Sequence, residues 1–160
     1  MPDLAAVRAS AQGSVLCWLA TVDDEGQPNV SPKEVFALAG DNRLVIAHIA
    51  SPRSVANIRQ QPLVCVSCID VFEQRGVKLV GNARVVVPTD ADFAALAEPL
   101  LAQTQGVFPI RAVIEVCVTR VEPIVAPSYR LVPGTTRASQ EASALRAYGV
   151  VRASPGRESP

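Results

Sequence analysis

Short apolar runs alternate along the chain with polar, turn-forming clusters, the texture of a β-rich domain. Residues 14–22 (SVLCWLATV) form the first convincing strand, and Asp23, Asp24, Glu25 and Gly26 make a tight acidic turn before the chain resumes at Pro28. A second strand is expected over 29–38. Ala39, Gly40, Asp41 and Asn42 then turn the chain into a third, 43–49 (RLVIAHI). The period changes next: Ser51 suits an N-cap, Pro52 the first helical position, and Val55 and Ile58 stand at helical spacing before Pro62. Two long strands, 63–71 and 76–87, flank the polar Glu73, Gln74 and Arg75. Either Thr89 or Asp90 caps a second helix, whose Phe93, Leu96, Leu100 and Leu101 make a narrow apolar stripe ending before Gly106. A last strand, 108–123, alternates Ala112, Ile114, Val116 and Val118 with Arg111, Val113, Glu115, Cys117 and Thr119, and the second of these faces is less polar than a solvated face should be. The first dozen residues predict a short helix with Leu4, Ala5 and Val7 on one side, stopped by Gly13.

Six strands, with one helix after the third and another after the fifth, predict an α+β, mainly β fold: a small antiparallel barrel with flanking short helices. Residues 1–126 read as this domain. From 127 onward the chain turns rich in Pro, Ser, Thr and Arg, with one helix expected over 135–148 and disorder over 152–160. That helix offers little beyond Leu145 and Tyr148, so it is expected to lean on another surface, a partner subunit among the options.

Composition narrows the class. A length of 160 residues suits one core, and the 49% hydrophobic content is aliphatic rather than aromatic. Fifteen basic side chains balance fifteen acidic ones, which argues against a nucleic-acid or anionic-membrane partner. No apolar run approaches the roughly 20 residues of a bilayer span, and MPDLAAVRAS lacks the features of a secretory leader, so a cytoplasmic location is expected. Cys17, Cys65, Cys68 and Cys117 all lie in apolar segments and read as core filler. Cys65 and Cys68 point to opposite faces of a strand, which defeats joint metal ligation, and no metal site is expected.

Two features suit an anionic ligand. Ser51, Pro52, Arg53 and Ser54 place hydroxyls, a guanidinium and free N–H groups at a helix N-terminus, the chemistry a phosphate needs, although an ordinary capped surface helix has the same pattern. Lys33, one of only two lysines, lies in an otherwise apolar strand; it contacts an anion or points to solvent with Glu34 as its companion. His48, the only histidine, has no paired acid nearby and is not read as a general base, so no catalytic residue is assigned. Asn57 is expected to satisfy local backbone groups, and Trp18 belongs to core or interface.

The stretches TVDDEGQPNVSPKEVF, RLVIAHIASPRSVANIRQQPLVCVS and GVKLVGNARVV, in this order over residues 14–122, resemble the flavin-binding core of the pyridoxamine 5′-phosphate oxidase-like split-barrel family. The resemblance implies a six-stranded split barrel that binds FMN at the boundary of a homodimer. It implies that the strand carrying Val30, Ser31, Pro32, Lys33, Glu34 and Val35 runs along the flavin, with Ala47 and His48 against the cofactor. Arg53 and Ser54 fall where the family grips the phosphate, the second of these being more often Lys. Gln74 and Lys78 fall where the ring is approached, Lys78 having a surface role as its alternative. The implied activity is that of an FMN-dependent oxidoreductase on a small molecule whose identity is not legible. Members that oxidise pyridoxamine phosphate end in an Arg-x-His segment and an Arg-rich C-terminus; this chain lacks both, so that substrate is not expected. A non-catalytic FMN binder or electron carrier is the alternative, related barrels bind haem or a deazaflavin, and a cofactor-free barrel that binds nucleic acid or protein is a third option.

Overall fold

A computed structural model of the chain describes residues 7, 13–40 and 42–152. The alternating segments become β1 (Cys17–Val22), β2 (Pro28–Lys33), β3 (Phe36–Leu38), β4 (Arg43–His48), β5 (Leu63–Asp70), β6 (Arg75–Val86) and β7 (Ala112–Val125). Helices α1 (Pro52–Gln60) and α2 (Phe93–Thr104) fall where the period changes to that of a helix. The turn between β1 and β2 forms as its residues require: Gly26 takes φ 83°, and the Asp23 carboxylate accepts from the N–H groups of Glu25 and Gln27 at 3.2 and 2.7 Å.

The strands make one antiparallel sheet in the order β2-β1-β5-β6-β7-β4-β3. Its two outermost strands, β2 and β3, are consecutive in sequence, so the sheet must curl until its edges meet. The expected strand over 29–38 is therefore two strands, and the count among the described residues is seven rather than six. The break falls at Glu34 and Val35, where the chain leaves β1 for β4: Cys17 pairs with Lys33 on one side and Phe36 with Ile46 on the other. The Val35 carbonyl accepts from Ala47 N–H at 2.9 Å, closing the seam. Curling this way is how an antiparallel sheet limits its exposed edges.

Inward residues of β1 and of β3 to β7 fill the barrel, with Leu19, Leu44, Ile46, Leu79 and Ile114 completely buried. Burying each of these stabilises the fold by roughly 1.5–3 kcal/mol. A second cluster explains the weakly polar face of β7. Val113 packs outward with Val45, Ala47 and Val86 under Leu96, Ala97 and Leu100 of α2, so this strand is covered on both sides near its start. Leu101 of the predicted stripe is exposed instead. Asp92 precedes α2 without making a side-chain cap bond. It pairs with Arg84, which also reaches the buried Glu115 at 2.5 Å, while Arg43 approaches that carboxylate at 3.3 Å. Glu115 is thus a buried charge held by two guanidiniums.

Past the barrel come a short α3 (Ser128–Leu131), which periodicity does not anticipate, and α4 (Arg137–Tyr148), whose Thr136 makes a capping box with Ser139. The surface on which this helix leans belongs to its own chain. Phe72 meets Tyr148 edge-on at 5.9 Å, Arg137 pairs with Glu73 at 3.6 Å, and Ala144 is buried. Of the expected N-terminal helix only Val7 is described, helical and buried in the barrel core, and the rest lies outside the described residues. Of the tail expected to be disordered, Arg152 pairs with Glu141 and residues 153–160 lie outside the described residues. Cys17 and Cys68 face each other inward across β1 and β5, while Cys65 faces outward. The contact with Cys68, followed by burial, holds the Cys17 thiol neutral by pushing its pKa far up.

Candidate functional site

The seam that closes the barrel also creates a cleft. Pro32, Lys33, Glu34 and Val35 at the β2–β3 break, Ala47 near the end of β4, Ile49, Ala50 and Ser51 before α1, and Phe108 before β7 surround a cleft of about 230 Å³. Strand alternation decides what each contributes. Lys33 shares the inward face with its register partner Cys17 and is only 5% exposed, so the solvent-facing option for this lysine fails; Glu34 turns the other way and is exposed.

The Lys33 ammonium donates to Ser51 Oγ at 2.5 Å, and no carboxylate pairs with it among the described residues. Burial accordingly pushes its pKa below the usual 10.5, and only the nearby Cys17 works against this. A buried charge without a counter-ion is costly, and such a group is a functional candidate. Ser51 occupies the N-cap position but makes no capping bond, its hydroxyl being engaged by Lys33. Arg53 is exposed in the first turn of α1, at the positive end of the helix.

Ser54 is 1% exposed and does not line the cleft. Its hydroxyl meets Ser31 Oγ at 2.9 Å and lies 3.4 Å from Asn29 Nδ2. Thr21 Oγ1 accepts from both Asn29 and Asn57, at 3.1 and 3.0 Å. Asn57 therefore serves a β1 side chain and not the local backbone expected of it. This network of Thr21, Asn29, Ser31, Ser54 and Asn57 pins α1 onto β1 and β2 and fixes the helix N-terminus relative to Lys33. The inward turn of Ser54 is readable from helical spacing, since it shares a face with Ile58 four residues on.

His48 ends β4 on the inward side with Leu44 and Ile46. Its Nδ1 is buried without a hydrogen-bond partner among the described residues. Burial, then Lys33, Arg111 and Arg59, lower its pKa from 6.5. The surroundings of the cleft are therefore cationic, although the chain as a whole is neutral. Because the unfolded chain binds the His48 proton first, stability should fall as pH drops below 6.5. In His48→Gln that part of the acid loss should vanish, visible as a smaller fall in Tm between about pH 7 and about pH 5.

Val30, Gln74 and Lys78 lie away from this cleft within one chain. Val30 is exposed on the outer face of β2. Lys78 stands in the outward row Pro32, Trp18, Ser67, Lys78, three strand spacings or about 14 Å from β2, and pairs with Glu122 at 2.5 Å. Gln74 takes φ 53° in the turn between β5 and β6, where its carbonyl accepts from Ala126. Trp18, 43% exposed, leaves the core for this outer face, joined by exposed Val30 and Leu63. Phe108 carries no signal in the sequence, because only the path of the chain from α2 to β7 brings it to the cleft.

The comparisons agree with this architecture. The pyridoxamine 5′-phosphate oxidase family profile matches residues 4–124. A search of curated proteins finds no match. Among solved structures, an FMN-binding protein from Syntrophomonas wolfei subsp. wolfei is 16% identical with a TM-score of 0.66, over 77% of this chain and 86% of that one. HupZ of Group A Streptococcus is 24% identical with a TM-score of 0.63, over 72% and 88%. The heme storage protein HutZ from Vibrio cholerae is 16% identical with a TM-score of 0.62, over 78% and 95%. These likenesses show a shared split-barrel fold.

Proposed function

Because the chain belongs to the pyridoxamine 5′-phosphate oxidase family, we propose that it is a cytoplasmic, homodimeric FMN-binding protein that acts as an oxidoreductase on a small molecule other than pyridoxamine phosphate. The observation that carries this reading is Lys33: a buried ammonium with one hydroxyl partner and, among the described residues, no carboxylate is the complement of a phosphate. Ser51 adds a hydroxyl, and Arg53 with the N-terminal end of α1 adds positive potential. Val35, Ala47, Ile49 and Phe108 supply an apolar wall that suits a flat ring and keeps water from it. Bound FMN supplies the capacity to accept and donate electrons; this chain's own residues hold the phosphate, orient the ring and dry the site.

A second copy completes this arrangement. The cleft is smaller than the roughly 300–1,000 Å³ of an enclosed small-molecule site. The outer face with Trp18, Val30 and Leu63 carries exposed apolar groups of the kind a partner covers. Docking through it is the route by which Gln74 and Lys78 of the second copy reach the ring, since within one chain they stand apart from the cleft.

Haem in the same cleft is the second reading. The combination of a cation and an apolar wall also suits propionates and a porphyrin, and HutZ is described as a heme storage protein. Absorbance titrations with FMN and with haem distinguish the two. Saturable perturbation of the flavin bands that survives added haem supports FMN; a Soret shift that FMN cannot displace overturns it. With FMN bound, rapid bleaching by a nicotinamide donor in stopped flow supports the oxidoreductase, and no bleaching leaves a carrier of flavin.

A further inference from the structure

We propose that Phe108 is a specificity-determining residue of the cleft, the side chain against which the ring system of the ligand lies once its phosphate is held at Lys33 and Ser51. This rests on the FMN reading above and concerns the other end of the ligand. Phe108 lines the same cleft as Lys33 and Ser51 but sits on a separate element, the connection from α2 to β7. Phe108 is 46% exposed, an unfavourable placement for a large apolar group unless something covers it. The cleft residues Val35, Ala47 and Ile49 are apolar as well, so with Phe108 they offer a flat ring an apolar wall beside the polar Lys33, Glu34 and Ser51.

The backbone on either side of Phe108 is tied down. At one end Gln105 and Gly106 take left-handed φ of 47° and 75°, and Val107 N–H donates to the Thr104 carbonyl at 2.9 Å, ending α2 firmly. At the other end Arg111 N–H donates to the His48 carbonyl at 3.0 Å, tying the connection to the strand that borders the cleft. Pro109 restricts Phe108 to extended conformations. An aromatic group that shares its cleft with the cationic Lys33 selects for a flat, electron-poor ring over a phosphate alone.

Flavin binding to the intact chain provides the test, with riboflavin and FMN titrated in parallel. Phe108→Ala should weaken both by a similar factor, on the order of tenfold, because both carry the ring. Phe108→Tyr should restore them. Inorganic phosphate, titrated as a competitor of FMN, should bind Phe108→Ala as it binds wild type. Circular dichroism of the alanine variant confirms that it is folded, and Phe108→Leu gives a second variant should it not be, with the same loss expected in part. If FMN binds wild type while neither substitution changes riboflavin or FMN affinity, the assignment of Phe108 is wrong and the phosphate site stands. If wild type binds no flavin, the FMN reading itself fails.

Discussion

Lys33→Met is expected to weaken FMN binding by about a hundredfold, the roughly 3 kcal/mol of a charge-assisted contact, while leaving riboflavin almost unchanged. Methionine keeps most of the length of the side chain and removes the ammonium that sits beside Ser51 with no carboxylate partner among the described residues. The same substitution should make the free protein more stable, because wild type carries the desolvation cost of a buried cation. Its pH dependence identifies the cause. Burial lowers the folded pKa of Lys33 below 10.5, so the unfolded chain binds this proton more tightly. Wild-type stability should therefore rise as pH climbs from the lowered value toward 10.5, and Lys33→Met should lack that rise. Equal FMN affinity in variant and wild type would remove Lys33 from the site.

Gly81→Ala should cost about 3 kcal/mol or more, among the larger effects expected of one methyl group. An added Cβ would stand 2.1 Å from the Cys117 carbonyl oxygen and 2.9 Å from its carbon, both backbone atoms that cannot swing aside. Gly81 lies at the register shift between β6 and β7, where the two strands approach closely. Forcing them apart would disturb β7, which pairs in turn with β4 up to Ala112 and His48 at the edge of the cleft. A urea titration would show the midpoint falling well below wild type. An unchanged midpoint would mean that the strands are not this close.

Much of this was legible locally. Acidic residues before Gly26, Ser51 followed by Pro52, and alternation along β5 and β6 each encode their own element, so turns, helix starts and strand faces follow from nearby residues. The departure at Glu34 and Val35 was not, because changing partners from β1 to β4 is decided by pairings distant in sequence while the residues continue to look like one strand. The site divides in the same way. Lys33, Ser51, Ala47 and Val35 line one cleft, whereas Ser54 turns inward to Ser31 and Phe108 enters from an element with no motif. Gln74 and Lys78 show the limit of reading one chain: they stand on another surface of the barrel, and it is the proposed second copy that would carry them to the cleft.

The most direct measurement is calorimetric titration of FMN and of riboflavin into the wild-type protein under identical conditions. One FMN should bind per chain, and riboflavin should bind far more weakly, since the phosphate supplies the contact that Lys33 and Ser51 await. No saturable FMN binding, or equal affinities for the two flavins, would contradict a phosphate site at Lys33 and with it the central claim.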